Sequence, residues 1–285
     1  MMENGLHVSL EHAPFSRYTQ IFALWVGDEY REEAAWMRFL QLYRYYQTRL
    51  KPALNDYRRE HPGFHACMAV ENAAVLGRRL ERIDTLRALG AAYVTLVWNH
   101  QNAFASSCYD ARDEGLSALG RDALRRMNAC GLPVDLSHAS EKTFWEICER
   151  TTGPVLASHS CARALCGHPR NLTDTQFRAL CALGGLVGIN LYPGFLSFFG
   201  HCALARAVDH IEHFLALGGE RHIALGSDMD GERMPSDFCS VGDLGKISGE
   251  MRRRGFTKTQ IHAIMYRNAQ RFFENNAKWV MKDVV

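Results

Sequence analysis

The sequence predicts an α/β fold of the (β/α)8 TIM-like barrel kind, organised as one domain over residues 1–285 and short of its first strand. Three observations point there. Short β-prone runs alternate with longer stretches of helical period. The strand runs are mostly continuous and apolar, as a parallel sheet covered on both faces requires. Polar residues stand at or just beyond the C-terminal ends of the strands, the rim on which parallel barrels build their sites.

Strands are predicted over Thr19–Val26, Ala66–Glu71, Ala92–Val97, Pro133–Leu136, Val155–Ser158, Leu186–Leu191 and Ile223–Ser227. Between them run helical segments over Glu29–Leu50, Arg79–Leu89, Arg121–Cys130, Glu141–Arg150, Thr173–Leu183 and Ala203–Leu217, with Val241–Arg254 and Thr257–Asn275 beyond the last strand. Ser140 and Thr173 are placed to cap helix N-termini, while Gly90, Gly131, Gly184 and Gly218 follow the last apolar position of a helix. Strand–helix repeats of this kind give either a doubly wound sheet or a barrel. No glycine-rich phosphate loop follows the first strand, which weakens the nucleotide-binding version.

Composition sets the outer limits. The chain has 285 residues, 47% hydrophobic and 22% charged, with 33 basic against 31 acidic side chains. Disorder is excluded by the apolar fraction, and near-balanced charge gives no reason to expect a nucleic-acid partner. Nine cysteines, an odd number lying mostly in apolar or helical stretches, read as buried thiols of a reducing compartment. No basic stretch with an apolar run opens the sequence, and no apolar run reaches the ~20 residues of a membrane span. The expectation is a cytoplasmic protein without a membrane anchor, for which a homodimer is allowed.

The strand ends carry the chemistry. Glu71, Asn99, His100, His138, His159, Asn190 and Asp228 each stand at or just after one. Each alone has a plain reading: a hydrogen-bonded loop histidine, a cap at Glu71, a turn residue at Asp228. Brought to one mouth, Glu71, His138 and His159 would make a His2Glu set, which suits catalytic Zn2+ with an open water position. Water on such an ion is deprotonated near pH 7, and Asp228 beside it is placed to shuttle a proton. Arg170, in the loop His168-Pro169-Arg170-Asn171, suits a bidentate carboxylate contact or a surface ion pair. His210 and His213 have helical spacing and read as residues of an outer helix. No Gly-x-Ser-x-Gly elbow and no His-Glu-x-x-His helix is present, so serine hydrolases and zincins are disfavoured.

Four motifs then occur in order: Val134-Asp135-Leu136-Ser137-His138, Ser158-His159-Ser160-Cys161-Ala162-Arg163-Ala164, His168-Pro169-Arg170-Asn171 and Gly226-Ser227-Asp228-Met229-Asp230-Gly231. With the run Gly184-Gly185-Leu186 to Tyr192-Pro193-Gly194-Phe195-Leu196, they resemble the renal (membrane) dipeptidase family of zinc metallopeptidases, from about His7 to Asn275. The resemblance implies a barrel of the metal-dependent hydrolase type with two zincs, hydrolysing small dipeptides by attack of metal-bound hydroxide. It makes Glu71 the carboxylate bridging the zincs, and His138 and His159 ligands of one zinc. Asp228 becomes the proton-handling residue and Arg170 the holder of the substrate carboxylate. Asn99, His100 and Tyr192 join the substrate-binding set.

Two departures qualify the resemblance. The family places His-x-Asp at the end of its first strand as ligands of the other zinc. Here His7-Val8-Ser9 offers the histidine but a serine in place of the aspartate. The chain as it stands is therefore expected to hold at most one zinc, with impaired activity. The second departure is Trp98, which occupies a position where some members carry a histidine that contacts the reacting carbonyl. The competing expectations are a non-catalytic barrel that binds a small peptide or anion, and another zinc amidohydrolase.

Overall fold

All seven strands expected from the sequence form, in a computed structural model that describes residues 7–8 and 15–276. They are β1 (Tyr18–Trp25), β2 (Phe64–Glu71), β3 (Ala91–Thr95), β4 (Val134–Asp135), β5 (Val155–Ala157), β6 (Leu186–Ile189) and β7 (Ile223–Leu225). Among the described residues their hydrogen-bonded order follows the chain, β1 to β7. β1–β2, β2–β3, β3–β4, β4–β5 and β6–β7 pair in parallel, so each of these connections crosses over and carries helix. β2 ends at Glu71 as expected, and the other six strands end one or two residues earlier than expected.

The chain packs as two compact units. One comprises Ser16–Leu156 with the stretch from Phe273 onward; the other comprises Ala157–Phe272 with the stretch up to Phe15.

In the first unit a single register line runs along the strand ends. Trp25 pairs with Glu71, Glu71 with Thr95, Thr95 with Asp135, and Asp135 with Leu156. Partners across a parallel pair project to the same face, so this line decides which side chains share the rim. Thr95 and Asp135 are buried and joined, the Thr95 hydroxyl donating to Asp135 Oδ2 at 2.6 Å. Three crossover helices follow the expected positions: α1 (Glu32–Tyr45), α3 (Glu81–Ala88) and α4 (Ala118–Cys130). The expected helix to Leu50 instead runs on through one π turn (Tyr46–Leu50) into α2 (Lys51–Glu60). Pro52 explains the wide turn: lacking an N–H, it cannot make the ordinary helical bond one turn back. α5 (Glu141–Arg150) begins as expected, the Ser140 hydroxyl accepting from Thr143 N at 3.1 Å.

In the second unit β6 pairs β7 through Val187–Ile223 to Ile189–Leu225. Gly188 and Gly226 let these strands close on the backbone at Ser158: a Cβ at either would meet Ser158 O at 2.0 or 1.8 Å. Helices α6 (Asp174–Ala182) and α8 (Arg206–Ala216) bury Phe177 and Phe214, whose rings stack with centroids 4.0 Å apart. Thr173 opens α6 with a reciprocal cap to Gln176, as the sequence suggests. The four-residue α7 (Pro193–Leu196) is too short for periodicity to reveal. α9 (Leu244–Arg253), α10 (Lys258–His262) and α11 (Asn268–Asn276) complete the described chain. Of the nine free cysteines Cys67, Cys161 and Cys166 are buried, five are partly buried and Cys239 is exposed, so the expected burial holds in part. Among the described residues, no helix is long and apolar enough to cross a membrane.

Candidate metal centre

Glu71 ends β2 and His138 lies three residues beyond β4. Glu71 Oε1 and His138 Nε2 are 3.2 Å apart, with both side chains largely withdrawn from solvent. The histidine is held by both backbone and ring. Its φ of 70° is a left-handed conformation that non-glycine residues rarely adopt. It is fixed there by Cys108 N donating to its carbonyl at 2.9 Å and by the turn Ala139 N to Leu136 O at 3.1 Å. The ring Nδ1 donates to Asn99 Oδ1 at 3.1 Å, which in the neutral ring puts the lone pair on Nε2.

A carboxylate oxygen then faces the second ring nitrogen at 3.2 Å, an ion pair where the imidazole is protonated and two ligand atoms side by side where it is neutral. In the neutral ring both atoms are acceptors, an arrangement that a cation between them would satisfy. Two ligands on a tetrahedral zinc, with bonds of about 2.0–2.1 Å, stand about 3.3 Å apart. The pair therefore fits a metal-binding edge.

Asn72 completes the rim of this unit, and the sequence reading passed over it. It is fully buried with φ 84°, and it donates to Val26 O at 3.0 Å and to Asp28 Oδ1 at 2.8 Å. Its own Oδ1 accepts from Asn102 Nδ2 at 3.0 Å. The available signal was its place directly after Glu71, since asparagine tolerates the left-handed region. Asp28 also accepts from the backbone N of His100 at 2.9 Å, and its burial raises the carboxyl pKa above the ordinary value. The exposed His100 is thus anchored through its backbone, while Asn99 points to His138.

In the second unit His159 follows β5, buried, with Ser158 Oγ 2.7 Å from its Nδ1. The same arrangement of an occupied Nδ1 appears at both histidines, a common device for orienting metal ligands. Asp228 also has a left-handed backbone, φ 61°, and its Oδ2 accepts from the buried Asn190 amide at 2.9 Å. Asn190 Oδ1 in turn accepts from Tyr192 N at 2.6 Å, which ties three of the sequence-selected residues into one hydrogen-bonded chain. Strained backbone at His138 and at Asp228 is what functional sites tend to retain.

Arg170 is only 4% exposed. Its guanidinium lies over the Phe195 ring at 5.3 Å, its Nη2 is 3.5 Å from His159 O, and its Nε has no hydrogen-bond partner among the described residues. The loop beneath it is fixed by Asn171, whose amide donates to Cys166 O and Phe195 O, both at 2.8 Å. The surface ion pair considered from the sequence is not what forms. The buried guanidinium thus keeps one donor unsatisfied, a capacity that an anion could fill.

The remaining motif residues have structural duties. His210 is buried, its Nδ1 accepting from Ala162 N at 3.0 Å and its Nε2 facing Leu196 O at 3.1 Å. Burial lowers its pKa to about 4, so it is neutral. His213 pairs with Asp174 at 2.8 Å. His7 donates its backbone N–H to Asp230 Oδ1 at 2.5 Å, and its carbonyl accepts from Val241 N at 2.9 Å. It acts as a tether to the segment after β7; Ser9 lies outside the described residues.

Membrane dipeptidase, peptidase family M19, matches this chain over residues 20–282. The chain belongs to the membrane dipeptidase family. Within the wider set of related sequences, an uncharacterized protein of the pqqA 5′ region of Klebsiella pneumoniae is 35% identical over 203 residues, 68% of this chain and 75% of that one. An uncharacterized dipeptidase of Schizosaccharomyces pombe is 32% identical over 224 residues, 77% of this chain and 54% of that protein. The chain thus spans about half the length of the fungal dipeptidase. A metallopeptidase from Rhodobacter sphaeroides, solved with a phosphinate mimic of the dipeptide L-Ala-D-Ala, superposes with a TM-score of 0.87 at 23% identity, covering 96% of this chain and 91% of that one. That likeness carries the fold, the TIM-like barrel type expected of the membrane dipeptidase family, with seven parallel strands among the described residues.

Proposed function

We propose that this membrane dipeptidase family chain is a zinc-dependent dipeptidase. Glu71, His138 and His159 are the His2Glu donor set that would hold the ion. The observation that carries the reading is the carboxylate oxygen of Glu71 standing 3.2 Å from His138 Nε2, the spacing of two ligands on one ion. The register supports the third member: Asp135 pairs with Leu156, and His138 and His159 each lie three residues further along. Zinc, when bound, supplies a Lewis acid and brings the pKa of water down to about 7.

The chain's own residues do the rest. Arg170 takes the free carboxylate of the dipeptide, satisfying the guanidinium that burial has left short of partners. That contact orients the scissile carbonyl and selects substrates one residue past it. Asp228, aimed by Asn190, accepts a proton from the attacking water at Oδ1 or Oδ2 and passes it to the amine nitrogen as the C–N bond breaks. Water oxygen is joined to the carbonyl carbon, and a free amine and a carboxylate leave. Asn99 keeps His138 in the tautomer that presents Nε2. Tyr192, placed by Asn190, lines the substrate side.

The test is amino-acid release from L-Ala-L-Ala, L-Ala-D-Ala and the amide L-Ala-L-Ala-NH2 by the zinc-supplemented chain. Dipeptides with a free carboxylate are expected to be cleaved at least about a hundredfold faster than the amide, the loss of one buried charge-assisted contact. Equal cleavage of the amide, or cleavage of lactams with no dipeptide cleavage, would overturn the reading.

A further inference from the structure

We propose that Trp25 and Trp98 form the wall of a subsite for the side chain of the dipeptide's N-terminal residue, and that this wall selects apolar and aromatic side chains. The proposal rests on the dipeptidase reading above and names the substrates it favours.

Three observations place the wall. Trp25, the last residue of β1, is the register partner of Glu71, so its indole projects to the same sheet face as that carboxylate. Trp98, three residues past β3, has its ring centroid 6.4 Å from that of His138. The two indoles meet edge to face, with centroids 4.9 Å apart and planes at 70°. Together they make an aromatic surface that reaches the ring of His138 and starts on the strand beside Glu71.

That surface is not consumed by the core. Trp25 is 42% exposed and Trp98 half-buried, whereas the side chains beneath them, Leu24, Leu96 and Val97, are buried. The polar groups of the same rim are already engaged: Asp28 accepts from Asn72 and His100, and Asn99 from His138. A large apolar surface with its polar neighbours satisfied is how a small-molecule site provides affinity without competing for the reacting groups.

The chemistry says which side chain meets it. The carbonyl under attack belongs to the N-terminal residue and must reach the Glu71–His138 edge. The Cβ of that same residue is two bonds from the carbonyl carbon, about 2.5 Å away. Its side chain is therefore the first substituent to meet a surface adjoining His138. The C-terminal residue is committed to Arg170 through its carboxylate. Edge-to-face indoles leave one ring face open, which favours flat or branched apolar groups and gives glycine nothing to bury.

The experiment compares kcat/KM for L-Phe-Gly and Gly-Gly in the zinc-loaded full chain, in Trp25→Ala and Trp98→Ala, and in Trp25→Phe and Trp98→Phe. The wild-type ratio is expected to favour L-Phe-Gly. Each alanine variant should lower that ratio about tenfold or more, and each phenylalanine variant should keep it within about threefold. Because the readout is a ratio within one protein, a partly misfolded variant does not imitate the effect. A ratio unchanged in both alanine variants, or equal losses on both peptides, overturns the wall. If the wild type cleaves no dipeptide, the dipeptidase reading fails separately, and calorimetric binding of the two peptides decides the wall. Tighter binding of L-Phe-Gly that disappears in Trp98→Ala upholds it; equal binding of both peptides overturns it.

Discussion

Asn99 Oδ1 accepts a hydrogen bond of 3.1 Å from His138 Nδ1, and this bond fixes which ring nitrogen of the histidine faces Glu71. Replacing Asn99 with leucine removes the acceptor and frees the tautomer. The Asn99→Leu chain should bind zinc about 10–100-fold more weakly, as other outer partners of metal ligands do on removal. Competition against a chromophoric chelator measures this, and unchanged affinity would remove Asn99 from the site.

Asp228 is expected to act on protons alone. Asp228→Asn keeps the hydrogen-bonding shape toward Asn190 and removes the base, so kcat should fall about 10²–10⁴-fold. Zinc content, read by elemental analysis, should remain that of the wild type. A parallel loss of zinc would make Asp228 a ligand instead.

Arg170→Met should raise KM for free dipeptides by about a hundredfold, the loss of a charge-assisted contact in a buried setting. The amide substrate, which has no carboxylate to offer, should be insensitive to the change. Steady-state kinetics on the two substrates checks it, and an equal effect on both would show that Arg170 serves the fold.

His210 links stability to acid. Its pKa falls to about 4 through burial, with the neighbouring Arg206 and His213 disfavouring the cation further, while Asp209 partly opposes them. The unfolded chain protonates it near 6.5, so the folded state binds fewer protons between those values. Its neutral form contributes full stability above about pH 6.5, and that contribution is lost as pH falls towards 4. The slope is at most about 1.4 kcal/mol per pH unit. Urea unfolding from pH 7 to 4 should show this excess slope in the wild type relative to His210→Gln. Identical slopes would contradict a neutral buried His210.

Gly226→Ala tests the packing under the site. Its Cβ would meet Ser158 O at 1.8 Å, a backbone atom beside His159, so the strand must shift. A loss of about 1–3 kcal/mol in urea unfolding is expected. A wild-type midpoint would mean the strands are not so close.

Much of this was legible before any coordinates. Every strand announced itself by an apolar run, and Ser140 and Thr173 by cap chemistry, because both signals are local. Glu71, His138 and Asp228 were singled out because each stands at or just after the end of a predicted strand. What escaped lacked a local signal. Asn72 sits where the backbone turns to positive φ, which only its partners Val26, Asp28 and Asn102 explain. The bond between Asn99 and His138 spans 39 residues, a partnership that no local pattern announces. The exposed reading of Arg170 failed because the loop around Asn171 folds it inward. The π turn at Tyr46–Leu50 follows from Pro52, a residue whose consequence lies one turn upstream of itself.

The central claim is that a zinc ion held through Glu71, His138 and His159 serves dipeptide hydrolysis. It is tested most directly by titrating zinc into the metal-stripped full chain while following L-Ala-L-Ala cleavage, in the wild type and in Glu71→Gln. The account predicts activity that rises to a plateau at a single zinc per chain in the wild type and is absent from the variant over the same range. Cleavage that survives chelation, or a variant that binds zinc and cleaves as the wild type does, would contradict it.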